Sequence, residues 1–284
     1  MAGFIPLGAV NSIASNVAAQ STARVLTENT FLLQKSLARL SSGLRIISAG
    51  DDPVGAANAV RIGAQISRVS AAQTNITNAT SYVETQSGFL NQVEDALDRM
   101  SELATLSQDG LTTDSQRSEY QEEFVDLQEF VSTVGTRTFN GIDIFSSSNL
   151  SVTIDPDGGT FTLDALNYNE AAVDGGLAEV YDGIDISSVA NAGDAADEVE
   201  LGIDNLSFML ARAGSHTQRL TLSNEALTVE SENLTSMHES ITLTDTAAEA
   251  VRYAQLQLLV NAGTAMLVQA NLNSSKLIDL LDFK

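Results

Sequence analysis

The sequence predicts a mainly α chain: long antiparallel coiled-coil helices, a small β-hairpin region, and both termini paired as helices. Three observations predict it. Apolar residues alternate at spacings of three and four over long stretches, as at Val83, Leu90 and Leu97 with Val93 and Met100 between them. One stretch switches to period two: residues 150–154, a turn at Asp155-Pro-Asp-Gly-Gly159, then residues 160–163. The layout is also nearly palindromic. Helix, break, long heptad helix, short helix, β-rich middle, long heptad helix, break, apolar helix: the ends match in type and are expected to pair antiparallel.

Taken in order, residues 1–40 are poor in charge and rich in Ser, Ala, Asn and Thr, with Val10, Ile13 and Val17 on one helical stripe. Leu26, Leu33 and Leu40 are seven apart, and Leu33, Leu37, Leu40 and Leu44 step by four, three and four, a coiled-coil seam. Ser41-Ser42-Gly43 stops that helix. Asp52 caps the next, with Pro53 at its first position. One long helix then runs to about Ser107 and ends at Asp109-Gly110. Asp114 or Ser115 caps a third helix, in which Tyr120, Phe124, Leu127, Val131 and Val134 alternate by four and three. Residues 136–198 hold the hairpin (about 150–166), a loop at Gly175-Gly176 and a further short extended piece at 184–186. Helix returns near Ala195, where Val199, Ile203, Leu206, Leu210, Ala213, Leu220 and Leu227 keep the alternation.

A break at 242–245 precedes the last helix. There Leu256, Leu259, Gly263, Met266 and Ala270 form a stripe, with Leu258, Val260, Leu267 and Val268 off it. A helix apolar on several sides must be buried on several sides. Gln255, Gln257, Asn261, Gln269 and Asn271 interrupt it, and the apolar run is shorter than the roughly 20 residues a membrane span needs.

The 284 residues carry 37 acidic against 14 basic side chains, a net charge of −23. Such a chain repels nucleic-acid phosphates and anionic lipid surfaces, so neither nucleic acid nor membrane insertion is expected. The charge is uneven. Residues 1–50 set Arg24, Lys35, Arg39 and Arg45 against Glu28, whereas residues 146–200 hold twelve acids and no base, which makes the middle the solvent-facing part. There is no cysteine, which excludes disulfides and thiolate metal sites. The N-terminus lacks the basic region and long apolar region of a cleavable secretory signal.

No catalytic, cofactor or metal site is expected. His238-Glu239 lacks the second histidine of a zinc-protease motif, and His216 stands between Ser215 and Thr217. Asp51-Asp52 precedes a proline and reads as a helix-capping turn ahead of a carboxylate pair. Asp155-Pro-Asp157-Gly lacks the closing Glu of a calcium loop.

Three ordered segments resemble bacterial flagellins: Leu40-Ser-Ser-Gly-Leu-Arg-Ile46 with Ser48-Ala-Gly-Asp-Asp-Pro-Val-Gly-Ala-Ala57, Phe139-Asn-Gly-Ile-Asp-Ile-Phe145, and residues 256–271. Pro53 stands where flagellins often have Ala, and Asp51-Asp52-Pro53 also occurs in the related hook–filament junction protein. The resemblance implies a structural protein, not an enzyme, with no cofactor. Many copies would polymerise into the hollow helical filament of the bacterial flagellum and give motility, outside the cell, after secretion without a cleaved signal peptide. It implies as partners the flagellar export apparatus, an export chaperone, the filament cap and hook–filament junction proteins. The alternative within the family is the junction protein itself, and the Leu-Ser-Ser-Gly-Leu-Arg motif and the Ala270-Asn271 end favour the filament subunit. An enzyme on a coiled-coil stalk would need a catalytic cluster in residues 136–198, where there is no His or Cys and no base beyond Arg137.

By resemblance, residues 1–44 and 243–284 form an inner filament-core domain and residues 45–242 a coiled-coil rod, with no separate outer domains. Self-assembly is expected through Leu26, Leu33, Leu37, Leu40, Leu44, Leu256, Leu259, Met266, Leu277 and Leu281. The rod seam is expected at Val83, Leu90, Leu97, Ile203, Leu206, Leu210, Leu220 and Leu227. The segment of the family bound by an innate immune receptor corresponds to residues 98–104. Arg99 and Leu103 match it, Asp98 replaces a usual Gln, and the acid of the next helix aligns with Glu122 or Glu123. Gln257, Asn261 and Gln269 are expected to face a water-filled channel.

Overall fold

The computed structural model describes residues 16–171 and 174–281, the side chains at 274 and 276–281 excepted. Val10 and Ile13, and the side chains of Leu277 and Leu281, lie outside the described residues. The chain forms two compact units, Met1–Gly63 with Thr235–Lys284, and Ala64–Leu234. The elements are α1 (Val17–Ser42), α2 (Pro53–Gln108), α3 (Asp114–Val134), β1 (Thr138–Phe139), β2 (Ile142–Asp143), β3 (Leu150–Thr153), β4 (Thr160–Leu163), α4 (Ala178–Tyr181), α5 (Val189–Thr242) and α6 (Thr246–Leu281). The fold is mainly α, as the heptads predict.

Local chemistry sets the helix ends. The Asn16 side chain accepts from the Ala19 N–H at 3.0 Å and starts α1. Gly43 ends it in the left-handed region (φ 71°), with its N–H on the Arg39 carbonyl. Asp52 caps α2, its carboxylate accepting from the Gly55 N–H at 2.8 Å ahead of Pro53. The cap of α3 is Thr113, one residue before the expected Asp114, because Thr113 and Gln116 complete a reciprocal capping box. Asp245 caps α6 by accepting from the N–H groups of Ala247 and Ala248. α5 starts at Val189, earlier than the expected Ala195, with the Ser188 hydroxyl accepting from the Asn191 N–H.

Two antiparallel strand pairs form. β3 and β4 form the expected hairpin, paired from Leu150↔Leu163 to Thr153↔Thr160. β1 and β2 make a second hairpin that the sequence reading passed over. Asn140 and Gly141 both have positive φ (51° and 79°), as a two-residue turn between twisted strands requires. The extended piece expected at 184–186 is not a strand. Asp185 instead accepts from the Ser187 N–H and hydroxyl and from the Asn191 amide, which folds the segment into the start of α5. A short helix, α4, precedes it.

In the larger unit, α2, α3 and α5 and the β segments share one core. Val83, Leu90, Leu97, Phe124, Val131, Tyr168, Leu206 and Leu220 are fully buried within it. In the terminal unit, α1 and α6 run antiparallel. Leu44 and Leu243 form a β-bridge, the Thr244 N–H donates to the Gly43 carbonyl, and the Asn16 amide donates to the Ala270 carbonyl.

The seams keep their period, but one of the two alternating positions moves by a residue. On α5, Val199, Leu206, Ala213 and Leu220 are buried, and so are Gly202, Met209 and His216, while the neighbouring Ile203, Leu210 and Thr217 are half-buried. On α1, Ser36 is buried and Leu37 is 53% exposed. On α6, the face toward α1 runs through Tyr253, Leu256, Val260, Gly263, Leu267 and Ala270, while Leu259 and Met266 point outward. On α1 and α5 the hidden positions Ser36, Gly202 and His216 are small or polar, which counting large apolar side chains passes over, whereas on α6 apolar residues stand on both sides of the seam and period alone does not choose between them.

Candidate assembly surfaces

The terminal pair presents its large apolar residues outward. Val17, Val25, Phe31 and Leu37 on α1, and Val251, Leu258, Leu259, Met266, Val268 and Leu272 on α6, are each at least half exposed. Facing inward are Ala19, Leu26, Leu33, Ser36 and Leu40 on one helix and Leu256, Gly263 and Ala270 on the other. Of the expected assembly residues, Leu256 is buried, Leu26, Leu33 and Leu40 are half-buried in the pair, and Leu37, Leu44, Leu259 and Met266 are exposed. Burying a side chain of this class stabilises by roughly 1.5–3 kcal/mol. A single copy leaves most of that gain unrealised. The outward amides pair along the helix, Gln257 with Asn261 at 3.3 Å and Gln269 with Asn273 at 3.0 Å. At about 100° per residue, Gln269 lies well round the helix from the Gln257–Asn261 pair, so the three do not make one polar face.

Where α1 meets the turn into α2, charges hold the backbone. The Lys35 ammonium sits 2.7 Å from Asp51, which keeps that carboxylate below its ordinary pKa. The Arg45 guanidinium donates to the Ile241 carbonyl at 2.7 Å.

The larger unit is held by neutral donors aimed at loop carbonyls. The Tyr82 hydroxyl and Gln86 amide donate to the Ile144 carbonyl, at 3.0 and 2.8 Å. Gln128 donates to the carbonyls of Val180 and Ile184, Tyr168 to Val131 at 2.6 Å, and Asn205 to Gly176. These donors pair buried carbonyls in loops and near helix ends, that of Val131 accepting from the Gly135 N–H as well. Burial drives the Tyr168 phenol far above its ordinary pKa.

On the same unit, Arg99 forks between Glu123 (2.7 Å) and Glu102 (2.5 Å). The structure therefore selects Glu123, not Glu122, as the acid across from Arg99. Hydrogen bonding to Arg99 keeps the Glu123 carboxylate low and raises the guanidinium. Leu103 is fully buried, so of the two residues matched to the receptor segment only Arg99 meets solvent.

His216 packs edge-on to Phe161 and lies 4.0 Å from Asp164, and Arg219 covers the other Phe161 neighbourhood at 4.2 Å from the ring centre. Burial lowers its pKa, opposed by Asp164 and reinforced by Arg212 and Arg219.

A second apolar row runs along α5 in heptad register, interrupted at Ser215: Leu201, Phe208, Leu222 and Val229, from 38% to 75% exposed. The sequence reading assigned α5 a single seam and missed this one, though the spacing was there to find. A groove of about 650 Å³ between α2 and the strands is lined by Asn75, Asn78, Tyr82, Phe139 and Val152 and contains no charged side chain. Among the described residues no cluster of three His, Asp or Glu side chains could hold a metal, and no helix is long and apolar enough to cross a membrane.

Comparison with known proteins adds sequence evidence to this geometry. The bacterial flagellin N-terminal helical region matches residues 13–150 and the bacterial flagellin C-terminal helical region matches residues 196–281. The flagellar filament core protein flaB2 of Brachyspira hyodysenteriae is 30% identical, over 91% of this chain and 95% of its own. A flagellar filament 30.7 kDa core protein of Treponema maltophilum is 27% identical and the flagellin of Bacillus subtilis 29%, each over 94% of this chain and 98% of its own. The structure of a putative flagellar hook-associated protein from Vibrio parahaemolyticus superposes with a TM-score of 0.61 at 15% identity, covering 68% of this chain and all of that one. That likeness carries the fold alone.

Proposed function

The chain belongs to the bacterial flagellin family, and on that premise we infer that it is the structural, non-enzymatic subunit of a flagellar filament, many copies of which polymerise end on end and side by side. The observation that carries this reading is the terminal pair, which leaves a second set of large apolar residues, among them Phe31, Leu37, Leu258, Leu259 and Met266, at least half exposed on its outside. Such a pair is half of an interface. Neighbouring copies supply the other half, and a contact between unlike faces propagates without closing.

On this reading the pair formed by the two termini makes the filament core, and the residues between them the surrounding layer. Leu37, Leu259 and Met266 contact neighbouring copies, while Leu26, Leu33, Leu40 and Leu256 join α1 to α6. The apolar row on α5 gives a lateral contact between copies. The filament lies outside the cell, and the chain reaches it through the flagellar export apparatus without loss of a leader, escorted by a chaperone and met by cap and junction proteins. The junction-protein alternative has a fold match only, and the relatives matching over nearly the whole chain carry filament names.

Electron microscopy of the purified chain under polymerising conditions tests the proposal. Long helical filaments are expected, and a population of only monomers or short rings, even when seeded, would overturn it.

A further inference from the structure

Residues 64–234 hold 29 of the 37 acids and six of the 14 bases, so the larger unit carries the whole net charge of −23 and the rest of the chain nets to zero. Two such units repel each other. A contact between them belongs where acids are absent or are answered by bases, because burying an unpaired carboxylate is costly.

One surface of the unit meets both conditions. The groove of about 650 Å³ between α2 and the strands has no charged side chain in its lining, and Ile142 in its wall is 44% exposed. Four of the six bases are committed elsewhere. Arg99 pairs with Glu102 and Glu123, and Arg117 donates to the carbonyls of Ser107 and Thr112 and lies 4.0 Å from Asp114. Arg212 donates to the Ala165 carbonyl, and Arg219 covers the Phe161 ring. The other two stand beside the groove. Arg137 directly precedes β1, and Arg68 lies two turns from Asn75 on the same side of α2, half exposed and a loose 3.8 Å from Asp157.

The complementary shape is at the far end of α2. Leu111 is 90% exposed, the most exposed large apolar side chain among the described residues. Its turn is pinned on all sides. The Asp109 carboxylate accepts from the Leu111 N–H at 3.0 Å. The Thr112 N–H donates to the Asp109 carbonyl at 3.1 Å, and the Thr112 hydroxyl donates to the Leu106 carbonyl at 3.0 Å. Arg117, only 6% exposed, ties the Ser107 and Thr112 carbonyls together. A turn held this way keeps an apolar tip in water between the carboxylates of Asp109 and Asp114, and it gives up little conformational freedom on docking.

We propose that the Gly110–Thr112 turn of one copy seats Leu111 in the groove of the next, with Asp109 and Asp114 facing Arg68 and Arg137 at its rim. Knob and groove are about 30 residues apart along α2, roughly 45 Å, so no copy can fill its own groove. Unlike faces meet, and the contact repeats as an open row with a spacing of about 45–50 Å. The proposal deepens the filament reading and rests on it for the length of the row.

The chain has no cysteine, so an introduced pair reports the contact directly. The members of Leu111→Cys with Asn78→Cys are too far apart to link within one copy. Under oxidation the full-length double variant should give a ladder of linked dimers, trimers and longer rows. Two control pairs join the exposed row of α5 to the knob (Leu111→Cys with Phe208→Cys) or to the groove (Asn78→Cys with Phe208→Cys). Each should give at least about tenfold less product. Leu111→Asp should raise the concentration needed for sedimenting polymer by about tenfold or more and leave the urea melt unchanged. Leu111→Met should polymerise like the parent. A ladder no stronger than either control, or Leu111→Asp polymerising like the parent, would overturn the contact and, where filaments still form, leave the filament reading standing. A strong ladder from a chain that never makes long filaments would overturn the filament reading and leave the contact standing.

Discussion

The two units of the chain solve opposite problems with the same helical material. The larger unit hides its large apolar residues, with Leu90, Leu97, Phe124 and Leu206 essentially inaccessible, and ties its loops down with amide and phenol donors. The terminal pair hides Ser36, Gly263 and Ala270 and leaves Phe31, Leu258 and Met266 in solvent. The first is complete in one chain. The second leaves large apolar residues pointing outward, and on the filament reading another copy supplies the surface that covers them. Stability and assembly are thus assigned to different residues and should be separable by substitution.

The sharpest way to break this contrast is to remove residues 250–284. Sedimentation should show polymer abolished, while circular dichroism should show the helices of residues 64–234 still melting cooperatively. A truncated chain that still pellets would refute the division of labour. Single substitutions should follow the same line. Phe124→Ala should cost about 3–5 kcal/mol in a urea melt, the usual range for an emptied aromatic site. Met266→Ala should change the melt by less than about 0.5 kcal/mol, yet raise the concentration needed for polymerisation. Equal effects on both readouts from either variant would erase the contrast. Gln128→Ala should cost about 1–3 kcal/mol, because the Val180 and Ile184 carbonyls lose their shared donor.

The smallest expected effect is on pH. His216 has a folded pKa below its ordinary value of about 6.5, first because it is buried. As pH falls, the unfolded chain takes up the proton before the folded one does. The contribution is therefore complete above about pH 6.5 and is lost as pH drops through that value toward the folded one. His216→Gln should flatten the stability profile in that window. A profile of unchanged slope would show that the histidine is not responsible.

Much of this was legible in the sequence, and the misses have one physical origin. The long helices, the 150–163 hairpin and the pairing of the termini follow from periods of 3.5 and 2, which a chain shows without knowing its partners. Which of two adjacent residues faces inward does not follow. Ser36 displaces Leu37 and His216 displaces Thr217 because the contour of the packed partner decides, and a small or polar residue can fill a seam as well as a leucine. The Asn140-Gly141 hairpin was readable from the dipeptide alone. The burial of Leu103 was readable only in part: it stands three residues after Met100, on a face shared with α3 that no local pattern announces.

The carbonyl clamps have a consequence for the medium. Tyr82, Gln86, Gln128, Tyr168 and Asn205 are uncharged donors, so dissolved ions that screen charges over about 10 Å at 0.1 M do not weaken them. The net charge of −23, by contrast, is felt between molecules and is fully subject to ions. Moving from fresh to saline water should therefore leave these clamps unaltered while changing how closely subunits tolerate one another. Salinity becomes a control on association that does not reach the clamped loops.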